Sequence, residues 1–80
     1  MATIIHRISS VCRARGRSRS AHYKDIKEGL FPHPVKIGSR AVGHPDNELA
    51  EMNAARIAGK SDDEIRDLVF KLEAARKATV

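Results

Sequence analysis

The chain has a single cysteine, Cys12, in 80 residues. One thiol cannot close a disulfide within the chain, so no cross-link supports so short a sequence. A run of about 18 apolar residues, the least that spans a bilayer as a helix, is also missing. The opening "MATIIHRIS" lacks the long apolar segment of a secretory signal. A lone thiol without a leader points to a reducing cytoplasm. Metal-ligand spacing is absent as well. His6, Cys12, His22, His33 and His44 are scattered, with no C-x-x-C or H-x-x-x-H pair, which argues against zinc. No Ser or Cys stands where a base and an orienting group would activate it. The glycine-containing turns lack phosphate-loop spacing. At this length there is room for one domain, and not for an enclosed cofactor beside a deep substrate cleft. These absences speak against an enzyme, a cofactor and a metal.

Acidic residues are scarce in one half only. Residues 1–44 carry nine Lys or Arg and two acids, a balance of +7, whereas residues 45–80 carry six Lys or Arg and eight acids, a balance of −2. A positive excess confined to one half suggests a face for a polyanion, with a solvated or partner-facing half beside it. The alternative is a solvated basic surface without a ligand.

The pattern along the chain is mostly helical. Thr3, Ile4 and Ile5 read as a short strand or a loose arm. Ile8, Val11, Cys12 and Arg15 fall at helical spacing, with Ser9 or Ser10 as the N-cap, Gly16 as the end and Cys12 as a small core residue. Ser18 then caps a second helix, from about Arg19 to Glu28, which Gly29 ends. Helix, glycine turn and helix make a helix-turn-helix, although Arg17 stands where that turn normally carries an apolar residue. Pro32 and Pro34 force extended backbone, leaving His33 exposed between them. Val35 and Ile37 alternate about Lys36, residues 38–40 turn, and residues 41–43 return. This hairpin sits where a winged helix places its wing. A third helix opens at Pro45 and Asp46, with Leu49, Met52 and Ile57 as its buried residues, and stops at Gly59. Ser61 and Glu64 form a capping box for a last helix reaching about Lys77, with Ile65, Leu68, Val69 and Leu72 as its stripe. The expected fold class is mainly α with a small β-hairpin: a winged helix-turn-helix plus two C-terminal helices. Its parts are an N-terminal arm or short strand (1–7), the winged helix-turn-helix domain (8–58) and a C-terminal helix packed on it (59–80).

Turning the second helix by about 100° per residue puts His22, Asp25, Ile26 and Gly29 on one side, and Ile26 marks that side as the core face. Arg19, Ser20, Tyr23, Lys24 and Lys27 form an arc on the other side that no acid interrupts. Segregation of one sign favours an anionic partner, and the major groove of duplex DNA admits an α-helix. Arg19 can fork onto guanine and Ser20 can reach a base edge, both from the first turn, which enters deepest. Lys24 and Lys27 suit phosphates. Tyr23 either bonds a phosphate through its hydroxyl or packs half-buried on the wing. Lys36, Ser39 and Arg40 project from the hairpin, to lie over the backbone or enter a minor groove, or else simply form a solvated turn. Arg17 and Ser18, at the mouth of the helix, complete the candidate DNA-binding set.

The stretch "SRSAHYKDIKEGLFPHPVKIGSRAVG", residues 18–43, resembles the AlpA-like phage regulatory proteins, small winged helix-turn-helix proteins related to excisionases. The likeness rests on Ser-Arg-Ser, Tyr, Ile-Lys-Glu-Gly, Phe-Pro, Pro-Val-Lys-Ile-Gly and Arg-Ala-Val-Gly at matching spacing. It extends more weakly from Arg7 through "MNAARIAGKSDDEIRDLVFKLEAARK", nearly the whole chain. The resemblance implies a DNA-binding regulator of a prophage or integrative element, either an activator of an integrase gene or an excisionase-type directionality factor. Ser18, Arg19, Ser20 and Tyr23 match the recognition-helix positions, and Lys36 and Arg40 match the wing. Double-stranded DNA is the implied partner, with integrase, RNA polymerase or a second copy on DNA as further candidates. No membrane and no small-molecule substrate are implied, and the expected location is the bacterial cytoplasm, at the nucleoid. The chain departs from the family at His44, where Trp is common, and at Arg17, His22 and Asp25, where apolar residues are usual. Losing a large buried Trp should loosen the third helix. The polar residues would compensate as a hydrogen-bonded cluster, His22 with Asp25 or with His44.

A rival reading makes the chain a protein-interaction module whose C-terminal helices bind a partner such as integrase or a second copy. Leu68, Val69, Phe70 and Leu72 are dense enough for an interface or for a core. Phe70, off the stripe, is its best exposed contact.

Overall fold

The N-terminal strand lies later than residues 3–5: of those three residues only Ile5 belongs to it, and Thr3 and Ile4 precede it. Ile5–Arg7 (β1) pairs antiparallel with Val42–Pro45 (β3), which also pairs with Val35–Lys36 (β2), so the expected hairpin is a three-stranded sheet in the order β1-β3-β2. The computed structural model describes the backbone of residues 3–79 and the side chains of residues 3–77. Met1 and Ala2 of the expected arm, and Val80 of the last segment, lie outside them. Gly43 makes the sheet possible. It faces Arg7 on one side and Val35 on the other, and a Cβ there would lie 2.4 Å from the His6 carbonyl oxygen and 2.8 Å from Ile37. Any side chain at position 43 would push β1 away.

The helix-turn-helix follows without a loop. Arg7 is still extended and serves as the N-cap of Ile8–Arg15 (α1), with no side-chain hydrogen bond. Ser9 and Ser10 are therefore not caps, as the spacing had suggested, but exposed residues inside the first turn. Pairing of β1 with β3 holds the chain extended up to Arg7, which leaves no turn in which a serine could cap. Gly16 ends α1 at φ +70°, a conformation that costs glycine little. The following Arg17 amide closes back onto the Cys12 carbonyl at 3.0 Å. Ser18 caps Arg19–Lys27 (α2), its hydroxyl accepting from the Ala21 amide.

Two further helices, Asp46–Ile57 (α3) and Asp62–Ala75 (α4), complete the fold. The Ser61–Glu64 capping box forms in both directions, at 2.9 and 3.2 Å. After Ala75 the chain tightens into a 3₁₀ turn, Arg76–Thr79, rather than continuing as α-helix. Val11, Ile26, Leu30, Phe31, Leu49, Met52, Ile65, Val69 and Leu72 make one core, with Leu68 packed against it. Ile57 is not part of it and is 87% exposed. Ala55 takes the buried place, because Leu49, Met52 and Ala55 step by three whereas Ile57 is turned about 140° from Met52. Cys12 is only half-buried.

The end of α4 is tied to the rest by charge. Arg76 grips the buried Glu48 of α3 through Nε and Nη2, at 2.7 and 2.6 Å, and donates from Nη2 to the His33 carbonyl. Glu73 accepts from the His33 amide and ring. His33 is exposed, as the sequence suggested, but held in place.

Candidate nucleic-acid interface

The two faces of α2 separate as the helical turn predicts. His22, Asp25 and Ile26 are buried, while Arg19, Ser20, Tyr23, Lys24 and Lys27 are exposed. The only acid on the helix, Asp25, faces inward, so no carboxylate breaks the outward arc.

A polar brace sets the tilt of that face. Arg15 Nη1 donates to His22 Nδ1 at 2.7 Å, and Nη2 donates to Asp25 Oδ2 at 2.8 Å. Arg17 donates to both Asp25 oxygens, at 3.1 and 2.9 Å. The guanidinium of Arg15 also lies 4.1 Å from the centre of the Phe31 ring, a favourable cation–π placement. Because Arg15 can only donate, His22 Nδ1 accepts and the ring proton sits on Nε2. That proton goes to His44 Nε2, 3.0 Å away. The His44 proton is then on Nδ1, which is buried without a hydrogen-bond partner among the described residues. Both rings stand edge-on to Phe31, at 5.0 and 4.8 Å between centroids.

Protonation states follow from this packing. Burial, then the Arg15 charge, pushes His22 down to about 4. Burial, then His22 itself, pushes His44 down to about 3. Burial alone would raise the Asp25 carboxyl, but the hydrogen bonds from Arg17 and Arg15 prevail and hold it below its ordinary value. At neutral pH the brace is thus one carboxylate shared by two guanidinium groups and joined to two neutral imidazoles. Of the two pairings expected for His22, the one with His44 forms, whereas no hydrogen bond joins His22 to Asp25 among the described residues and Arg15 bridges them instead.

The candidate residues do not all share one place. Arg19 and Arg40 line a single depression of about 150 Å³ between α2 and the wing, together with Arg7 and Ser9. Lys24 lines a different depression of about 490 Å³, with Arg17 and Arg56 but also Glu28 and Asp62. Lys36 and Ser39 are exposed on the hairpin. Tyr23 is 41% exposed, and its ring stands edge-on to His22. Ser18 spends its hydroxyl on the helix cap and Arg17 is bound to Asp25, so both have structural partners. Sequence reasoning missed Arg7. A three-residue strand has no period to read, and only its register opposite Gly43 brings Arg7 beside the wing.

Comparison with known proteins places the chain in a family. The model of the family described as Prophage CP4-57 regulatory protein (AlpA) matches residues 5–57. The chain belongs to the AlpA family. The family match runs from β1 to the last residue of α3, shorter than the nearly whole-chain likeness read from the sequence, and α4 lies beyond it. An uncharacterized protein, ORF88 of enterobacteria phage P4, is 37% identical over 54 residues, covering 68% of this chain. The chain matches about 61% of that protein's length. No solved structure matches the chain. The family's description is that of a prophage regulatory protein. Among the described residues, no helix is long and apolar enough to cross a membrane, and no group of three or more His, Cys, Asp or Glu could hold a metal ion.

Proposed function

We propose that the protein binds duplex DNA sequence-specifically and regulates a prophage or integrative element, either by activating an integrase gene or by directing excision. In this reading α2 enters the major groove and the β2–β3 turn lies on the flanking backbone. The observation that carries it is the acid-free arc of α2 with Arg19 sharing one depression with the wing-tip Arg40. A duplex seated on that edge meets both elements at once. Arg19 and Ser20 read bases from the first turn, whereas Lys24, Lys27, Lys36 and Arg40 meet phosphates, with Ser39 and Tyr23 as hydroxyl donors. Activation and excision use the same contacts. Integrase and RNA polymerase are the proteins each role would recruit.

Removing Arg19 is expected to cost about 1–3 kcal/mol on the cognate site and little on random DNA. Removing Lys27 should weaken both equally. Competition shift assays, on a site recovered by binding selection and on random duplex, measure this difference. Equal losses on both DNAs for Arg19→Ala would refute its base-reading role.

One observation favours a second reading, in which α3 and α4 dock a partner protein: Phe70 and Ile57 are 75% and 87% exposed. A protein that acted only through them would not bind duplex at low salt.

A further inference from the structure

Five arginines are paired with carboxylates: Arg15 and Arg17 with Asp25, Arg56 with Asp62, Arg66 with Asp63, and Arg76 with Glu48. Among the described residues, Arg7, Arg13, Arg19 and Arg40 have no such partner. Three of these four line the same depression, and no acid lines it. Gathering like charges at one small site is unfavourable unless an anion joins them. Among the described residues no Asp or Glu fills that role.

We propose that this depression is a phosphate-group site, held chiefly by Arg7 of β1 and Arg40 of the wing, and that in the DNA complex it takes one backbone phosphate. Its volume, about 150 Å³, corresponds to roughly five waters at about 30 Å³ each, enough for a phosphate with part of its hydration. Arg7 and Arg40 approach from different elements, so two guanidinium forks can engage different oxygens of one anion. Ser9 adds a hydroxyl, and no side chain caps the first turn of α1 beside it. A phosphate fixed here sets the register of α2 along the duplex, leaving Arg19, on the α2 wall, to reach the base edge. The DNA part of this proposal rests on the duplex reading above. The anion site does not.

Two arms separate these. In the first, inorganic phosphate is titrated into the free protein and the arginine Nε–H resonances are followed by NMR. Saturable shifts of Arg7 and Arg40 without Arg13 support the site, and uniform or absent shifts overturn it. In the second, binding to duplex is measured against salt for the wild type, Arg7→Gln, Arg7→Lys and Arg13→Gln. Arg7→Gln should make the slope of log K against log salt shallower by about 0.9 while leaving discrimination between cognate and random DNA intact. Arg7→Lys should restore the slope, and Arg13→Gln, an equal loss of charge outside the depression, should not change it. An unchanged slope for Arg7→Gln, or an equal change for Arg13→Gln, overturns the backbone-phosphate assignment. A wild type that shifts with phosphate but binds no duplex refutes the DNA reading and keeps the anion site.

Discussion

Asp25→Ala should destabilise the protein by about 3–5 kcal/mol, the cost of leaving a buried charge unpaired. The side chains of Arg15 and Asp25 are only 6% and 7% exposed. Without the carboxylate, the Arg15 guanidinium keeps only a neutral imidazole and an aromatic face as partners. A domain of 80 residues has roughly 4–12 kcal/mol in total, at about 0.05–0.15 kcal/mol per residue. The loss is therefore a large share of the total stability, and α2 loses the brace that aims its basic face. Asp25→Asn, which keeps the shape and one acceptor oxygen, should lose less. Urea unfolding of both variants against wild type measures the effect. A loss below about 1 kcal/mol for Asp25→Ala would mean that Arg15 finds water instead, and that the brace is not a buried charge pair.

Stability should fall steeply between pH 6.5 and pH 4. Above about pH 6.5 the two histidines are neutral both folded and unfolded, and no proton is taken up on unfolding. Below it the unfolded chain protonates both rings while the native state excludes the protons, down to about 4 for His22 and about 3 for His44. The unfolded state thus binds more protons throughout that window, and stability declines as pH falls. Each ring contributes a loss of up to roughly 1.4 kcal/mol per pH unit, or about 3 kcal/mol by pH 4. The carboxylates of Asp25 and Glu73, held below their ordinary values, act in the same direction but only at lower pH. The two rings together remove about 4 kcal/mol by pH 5 and about 6 kcal/mol by pH 4, so acid unfolding below about pH 5 is the expected result for the wild type. His44→Phe removes one titrating ring and the unsatisfied Nδ1, and it should roughly halve the slope of melting temperature against pH over this range. A flat melting temperature from pH 7 to pH 5 would contradict the neutral, buried pair.

Features with a local cause were legible in the sequence. The Ser61–Glu64 box, the Ser18 cap, the Gly16 turn and the outward arc of α2 each depend on residues within a few positions of one another. Phe70 was also read correctly as exposed, since a 3.6-residue period decides it. What escaped was set by distant partners. Ser9 and Ser10 lost their capping role because β3, more than thirty residues on, holds Arg7 extended. Ile57 is apolar and reads as part of the buried set of α3, but the step from Met52 favours Ala55. Arg15 reads as the end of an amphipathic stripe, and its burial makes sense only once Asp25 and His22 are seen to complete it. His22 and His44 could be suspected of pairing, since both stand where the family is usually apolar. The bond from Arg15 that fixes their tautomers could not. In the candidate interface, the residues of α2 were accessible to reasoning from the helical period. The meeting of Arg19, Arg40 and Arg7 was not, because it depends on three elements packed around Gly43.

The claim on which the functional account depends is that α2 and the wing receive a duplex together. Titrating a non-specific DNA duplex at low salt into ¹⁵N-labelled protein tests it most directly. The account predicts amide shifts concentrated on Arg19–Lys27 and on residues 36–40, with α4 unaffected. Shifts confined to α4 around Phe70, or none at all, would contradict it.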